Sequence, residues 1–191
     1  MIAMPPIHYD RASGSLEGAN LWERAAALAL VTGSKISSHF SHRGYNGCAN
    51  LLRKTLPERN IAIRLNADAI FEFPYGDGYW SKLLDRSFHY EDELDLLFRH
   101  SADIDYTLLD CGANYGYWSV LVTSAPLGSH RAIAIEPSSQ NFAKLANNAK
   151  VNGNRFELMK CAIGAARGAA RLSGRARNRP LSCSPFQAAG A

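Results

Sequence analysis

Residues 108 to 119 read LLDCGANYGYWS, and residues 131 to 139 read RAIAIEPSS. Asp110 ends an apolar run, Gly112 and Gly116 stand four residues apart, and Asn114 lies midway between them. Glu136, twenty residues after Gly116, ends the second apolar run and precedes Pro137. A glycine at 112 lets the backbone turn tightly and approach a ligand with no Cβ in the way. Asn114 tolerates left-handed geometry, and Gly116 lets a following helix pack closely. A dinucleotide site asks for G-x-G-x-x-G, but from Gly112 the chain runs Gly-Ala-Asn-Tyr-Gly-Tyr, so both later glycines are misplaced. Asp110 also argues against a pyrophosphate, because like charges repel, while it suits a ligand with a cationic end. A carboxylate at Glu136 can accept hydrogen bonds from both hydroxyls of a ribose. Together these residue types ask for a nucleoside with a ribose, no phosphate, and a cationic amino-acid or sulfonium end. S-adenosylmethionine fits that description.

Each of these residues also has a plainer role open to it. Gly112 and Gly116 could serve turn and packing alone, Asp110 could cap the turn, and Glu136 could be a solvated strand end. Tyr117 and Trp118 read as core or pocket wall.

The elements that would position the motif follow from periodicity. YTLLDC, RAIAIE and RFELMKCAIG are short apolar runs suited to buried parallel strands. NYGYWSVLVTSA and SSQNFAKLANNAKVNG read as helices between them, the second capped by Ser138, stopped by Gly153, and apolar along Phe142, Leu145, Ala146 and Ala149. The order is βαβαβ, half of a doubly wound sheet, in which ligands sit at the carboxyl ends of the strands. Upstream, Asn20 caps a helix predicted to Gly33, with Leu21, Ala25, Leu28 and Val31 on its apolar face. NGCANLLRKTL reads as a short helix, and IAIRLNADAIFEFP as a β-hairpin turning at Asn66-Ala67-Asp68. YEDELDLLFRH reads as a helix with acids in its first turn and Leu94, Leu97 and Phe98 facing inward. Residues 1 to 19, broken by Pro5, Pro6, Gly14 and Gly18, read as a loose arm.

The combination D-x-G-x-N-x-G followed by A-I-E-P resembles the cofactor motifs of class I S-adenosylmethionine-dependent methyltransferases, and within them it is most similar to the FkbM family. Asp110, Gly112, Ala113, Asn114, Gly116, Glu136, Pro137, Asn141 and Phe142 carry the likeness, with LANNAKVNG, CAIG, and Tyr90-Glu91 in support. It spans roughly residues 60 to 172. It implies a Rossmann-like class I methyltransferase fold, here the N-terminal half of the doubly wound sheet preceded by helices and a hairpin. It implies that Asp110 and the Gly112–Gly116 turn hold the methionine end, that Glu136 grips the ribose, and that Cys161 and Ala162 border the adenine. Glu91 is the remaining cofactor contact it suggests, and equally an acid stabilising the first turn of its own helix. The implied activity is O-methylation of a hydroxyl on a small molecule or sugar. No catalytic base is assigned.

The expected organisation is an N-terminal arm with helices over 1–59, an incomplete cofactor-binding domain over 60–174, and a disordered tail over 175–191. The resemblance asks for further strands after the third, but the stretch from Gly164 is rich in Ala, Arg, Gly, Ser and Pro. One short strand in GAARLSG is allowed. A truncated or frameshifted ending accounts for this, and it leaves TLLDC as an exposed sheet edge that invites self-association. The competing class is a non-catalytic module that binds cofactor or a partner.

The remaining features narrow the partners. The formal net charge is +4, but the five arginines of residues 167–191 bring no acid with them, and without them the charge is −1. The basic balance therefore belongs to the tail, and no nucleic-acid partner is expected. No stretch approaches the roughly 20 apolar residues of a spanning helix, so no membrane partner is expected and a cytoplasmic location follows. Cys48, Cys111, Cys161 and Cys183 form no CxxC pair, and Cys111 and Cys161 read as buried thiols. His39 and His42 have HxxH spacing within a loop-like SSHFSHRGYNG, with no further ligand nearby, so no metal is expected.

Overall fold

The computed structural model describes residues 4–164 and the backbone of Ala169–Arg171 and Pro180–Ser182. The chain forms two compact units, Met1–Ile104 with Ser124–Gly128, and Asp105–Thr123 with Ser129–Ala191. The architecture is α/β, with one mixed and one parallel sheet, compatible with a Rossmann-like fold.

The first unit carries a four-stranded sheet in the order β2-β1-β3-β4. Its strands are β1 (Ile7–Asp10), β2 (Leu16–Glu17), β3 (Asn60–Arg64) and β4 (Ile70–Pro74). The predicted hairpin is β3–β4, closed by Leu65 N–H donating to Ala69 O at 2.9 Å, with Asn66 Oδ1 accepting from Asp68 N at 3.1 Å. It pairs within this sheet, beside β1 and β2, not with the strands of the cofactor motif. The expected loose arm is in fact partly strand. Ile7 and Tyr9 alternate inward, and β1 runs parallel to β3 with Ile7 opposite Ile61. Asp10 Oδ1 accepts from Ser13 N at 2.9 Å, and Gly14 takes φ 79°, so the glycine builds the β1–β2 turn.

Helix α1 (Leu21–Ser38) starts with a complete capping box: Asn20 Oδ1 accepts from Glu23 N, and Glu23 Oε2 accepts from Asn20 N. It runs through Gly33, five residues beyond the predicted stop. Its inward face is also not the predicted one. Glu23, Ala26, Ala27, Leu30 and Ser34 are buried, whereas Leu21 and Leu28 point to solvent. The Glu23 carboxylate is fully buried and pairs with Arg59 at 3.4 Å, and Tyr75 Oη donates to Glu23 O at 2.6 Å. Small side chains let the helix sit close to the 3-10 turn at Trp80–Leu84, and this buried polar network selects the face. Helix α2 (Tyr45–Arg53) follows, then a 3-10 turn at Trp80–Leu84, then α3 (Asp92–His100), which buries Phe98 but leaves Leu97 exposed, contrary to expectation.

The second unit holds β5 (Thr107–Cys111), β6 (Arg131–Ile135) and β7 (Glu157–Met159), parallel and adjacent in that order. Leu109 stands opposite Ile133, and Ile135 opposite Met159. The third strand is shorter than predicted. Helix α4 (Tyr117–Val122) is also shorter and has every residue buried. Helix α5 (Ser139–Val151) has Ser138 as its cap and buries Leu145 and Ala149, with Gly153 beyond its end at φ 71°. β5 is the edge of this sheet, and Leu109 is 56% exposed. Cys111, expected as a buried thiol, is exposed because it lies on that edge. Ala169–Arg171 (β8) pairs antiparallel with Pro180–Ser182 (β9), so part of the tail expected to be disordered is strand. The rest of that expectation lies outside the described residues.

Candidate functional site at the carboxyl ends of the parallel strands

Because β5, β6 and β7 are parallel neighbours, their carboxyl ends fall at one end of the sheet. Gly112 follows the first, Glu136 the second, and Cys161 and Ala162 come just after the third. The turn after β5 is made by three residues with positive φ: Gly112 at 83°, Asn114 at 54° and Gly116 at 84°. Asn114 takes the left-handed geometry that its residue type tolerates, and both glycines take it as well.

The two glycines serve different ends. A Cβ at Gly116 would run into Leu145 Cδ1, with Phe156 Cζ 3.7 Å away, so this glycine lets α4 pack against α5. A Cβ at Gly112 would meet nothing within 4 Å. Packing therefore does not require a glycine at 112. The requirement there is the φ of the turn, and the space beyond it is open.

The turn is fastened to its neighbours by backbone donors. Gly112 N and Ala113 N both donate to Ile135 O, at 2.8 and 2.9 Å. Asn114 N donates to Glu136 Oε2 at 2.9 Å, and Ser138 N donates to Glu136 Oε1 at 2.7 Å. Glu136 N donates to Met159 O at 3.0 Å, which ties the end of β6 to β7. Glu136 is only 5% exposed. It is not the solvated strand end considered above. Its carboxylate joins the β5–α4 turn to the start of α5, using one acceptor position on each oxygen out of about four in all. Pro137, half-buried, fixes the backbone between Glu136 and the Ser138 cap.

Asp110 accepts from Ser119 Oγ at 2.7 Å, which orients the carboxylate at the end of β5. Ser119 was not singled out in the sequence. Its signal was only its place in the first turn of α4, facing back toward β5. Asn148, fully buried, donates from Nδ2 to Tyr115 O at 2.9 Å and holds the middle of the turn. A polar residue amid the apolar positions of α5 was the trace it left.

Asp110, Gly112, Ala113, Asn114, Gly116, Glu136, Pro137, Cys161 and Ala162 thus belong to one end of one sheet. Glu91 belongs to the first unit. It precedes α3 with φ 51°, and its carbonyl accepts from Leu94 N and Asp95 N at 2.9 and 3.1 Å. Beside it, Tyr90 meets Tyr79 through a 3.0 Å hydroxyl contact, and burial followed by that contact raises the Tyr90 phenol well above its ordinary range. Among the described residues no group of three His, Cys, Asp or Glu side chains could hold a metal ion, His39 and His42 included.

Comparison of the chain with protein-family models, with curated proteins and with solved structures finds no match.

Proposed function

We propose that the chain binds S-adenosylmethionine at the β5–α4 turn and acts as a methyltransferase, with a hydroxyl of a small molecule or sugar as acceptor. The observation that carries this is the pairing of an open glycine turn with a carboxylate at each of the two strand ends, Asp110 and Glu136. Asp110 gives the cationic end of the ligand an anionic partner at β5. The free space above Gly112 lets the amino-acid portion approach the backbone. Glu136, already rigid, has acceptor capacity left for a ribose diol. On the resemblance to the FkbM family, Cys161 and Ala162 border the adenine. The choice of a hydroxyl acceptor rests on that resemblance alone.

When bound, the cofactor supplies an electrophilic methyl group on a sulfonium, which an acceptor oxygen displaces in line. The protein's share is to orient the two, and orientation of this kind can supply about 7–11 kcal/mol of barrier reduction. Adding S-adenosylhomocysteine to isotope-labelled protein tests the placement. Amide resonances of residues 112–116, Glu136, Ser138, Cys161 and Ala162 should move together, whereas shifts confined to the first unit would move the site elsewhere.

A second function is favoured by one feature: β5, with Leu109 exposed, has a strand partner on one side only among the described residues and offers its other edge to another chain. A non-catalytic module pairing through that edge would use the turn for structure alone. Transfer of a labelled methyl group from cofactor to any acceptor would exclude it.

A further inference from the structure

The outward face of α1 carries the apolar stripe that the sequence predicts for the core. Leu21 is 88% exposed, Leu28 69%, Ile36 60% and Trp22 53%. At 100° per residue these four fall within one third of the helix circumference, opposite the buried Glu23, Ala26, Leu30 and Ser34. Trp22 Nε1 donates to Thr55 O at 3.3 Å, which brings the chain just beyond α2 beside the stripe, and Leu51 on α2 is also exposed. Phe40, just past the end of α1, is exposed as well. A contiguous apolar surface of this kind marks an interaction site.

Charge decides what it meets. Between Asn20 and Pro57 the cations are Arg24, Lys35, Arg43, Arg53 and Lys54, all exposed. The only acid in that stretch is Glu23, which is fully buried against Arg59. Arg24 and Lys35 lie along one margin of the apolar stripe, where long basic side chains can reach past apolar surface toward charged groups. We infer that α1 and the end of α2 dock on an anionic lipid surface, with the stripe in the acyl boundary and the cations at the headgroups. A helix that lies in the interface needs no spanning segment, so the sequence expectation of no membrane partner, which rested on that criterion, does not bear on it. A symmetric pairing of two copies through this face would set the same cations against each other, and the nearest exposed acids in sequence, Glu17 and Glu58, lie outside the stretch.

The test uses the full chain with phosphatidylcholine vesicles, with and without phosphatidylglycerol. Trp80 and Trp118 are buried, so a blue shift of tryptophan emission on vesicle addition reports Trp22. The chain should sediment with the anionic vesicles only and show that shift. Lys35→Ala should weaken partition about fivefold, from the energy of one basic residue near an anionic surface. Leu28→Glu should abolish binding, with circular dichroism and melting temperature unchanged in both variants because both side chains are exposed. Absence of binding to anionic vesicles, or binding that Leu28→Glu leaves intact, would overturn the inference. A dimer in sedimentation equilibrium that Leu28→Glu dissociates, without vesicle binding, would assign the face to a second copy instead.

Discussion

Gly112 and Gly116 look alike in sequence and differ in their surroundings. At Gly116 an alanine would bring both a positive φ and a collision with Leu145, so Gly116→Ala should lower unfolding free energy by about 2–4 kcal/mol. At Gly112 only the φ is at stake, and the loss should be about 1 kcal/mol. Urea unfolding of the two variants checks the order, and equal losses would mean that α4 does not depend on close packing at 116. His42 carries a different kind of information. It packs edge-on against Tyr45 and Phe88, and burial, then the Lys82 ammonium, hold its imidazole below the ordinary value of 6.5. The unfolded chain therefore binds this proton more readily than the folded one. The stability due to neutral His42 is complete above pH 6.5 and is lost as pH falls below it. His42→Asn, which tolerates the local φ of 56°, should flatten the slope of stability against pH in that range. An unchanged slope would place the titration on another residue.

Among the elements, what was legible was what depends on local chemistry. The hairpin turn at Asn66–Asp68 and the Asn20 and Ser138 caps follow from side chains that bond within a few residues of themselves, and the three strands of the second unit from short apolar runs. Contacts distant in sequence were not legible. IHYD was too short to read as a strand until β3, more than fifty residues later, gave it a parallel partner. The face of α1 was misjudged because periodicity marks an apolar stripe without saying whether the protein covers it. The Glu23–Arg59 pair, 36 residues apart, turned the opposite side inward. That pair gives a direct expectation for the element: Glu23→Ala removes the capping box and strands a buried guanidinium, at a cost of about 3–5 kcal/mol. Thermal or urea unfolding reads it, and a loss under about 1 kcal/mol would mean that Arg59 finds water instead. In the candidate site the motif residues were found from spacing. Ser119 and Asn148 were not, because each acts on the turn from a helix that only the fold brings back to it.

At the scale of the whole molecule, the chain forms two compact units. The first, with its mixed sheet, holds the buried Glu23 network and the exposed face of α1. The second gathers one turn and two carboxylates at the carboxyl ends of three parallel strands, where α/β sheets of this kind bind ligands. Among the described residues no helix is long and apolar enough to cross a membrane. The central claim is that the second unit selects a nucleoside with a cationic amino-acid end over a dinucleotide. Calorimetric titration of the purified chain with S-adenosylhomocysteine, alongside NAD, tests it most directly. The expected result is saturable binding of S-adenosylhomocysteine, none of NAD, and loss of the former in Gly112→Val, whose side chain would fill the space above the turn. A folded chain that binds neither ligand, or that binds both alike, would contradict it.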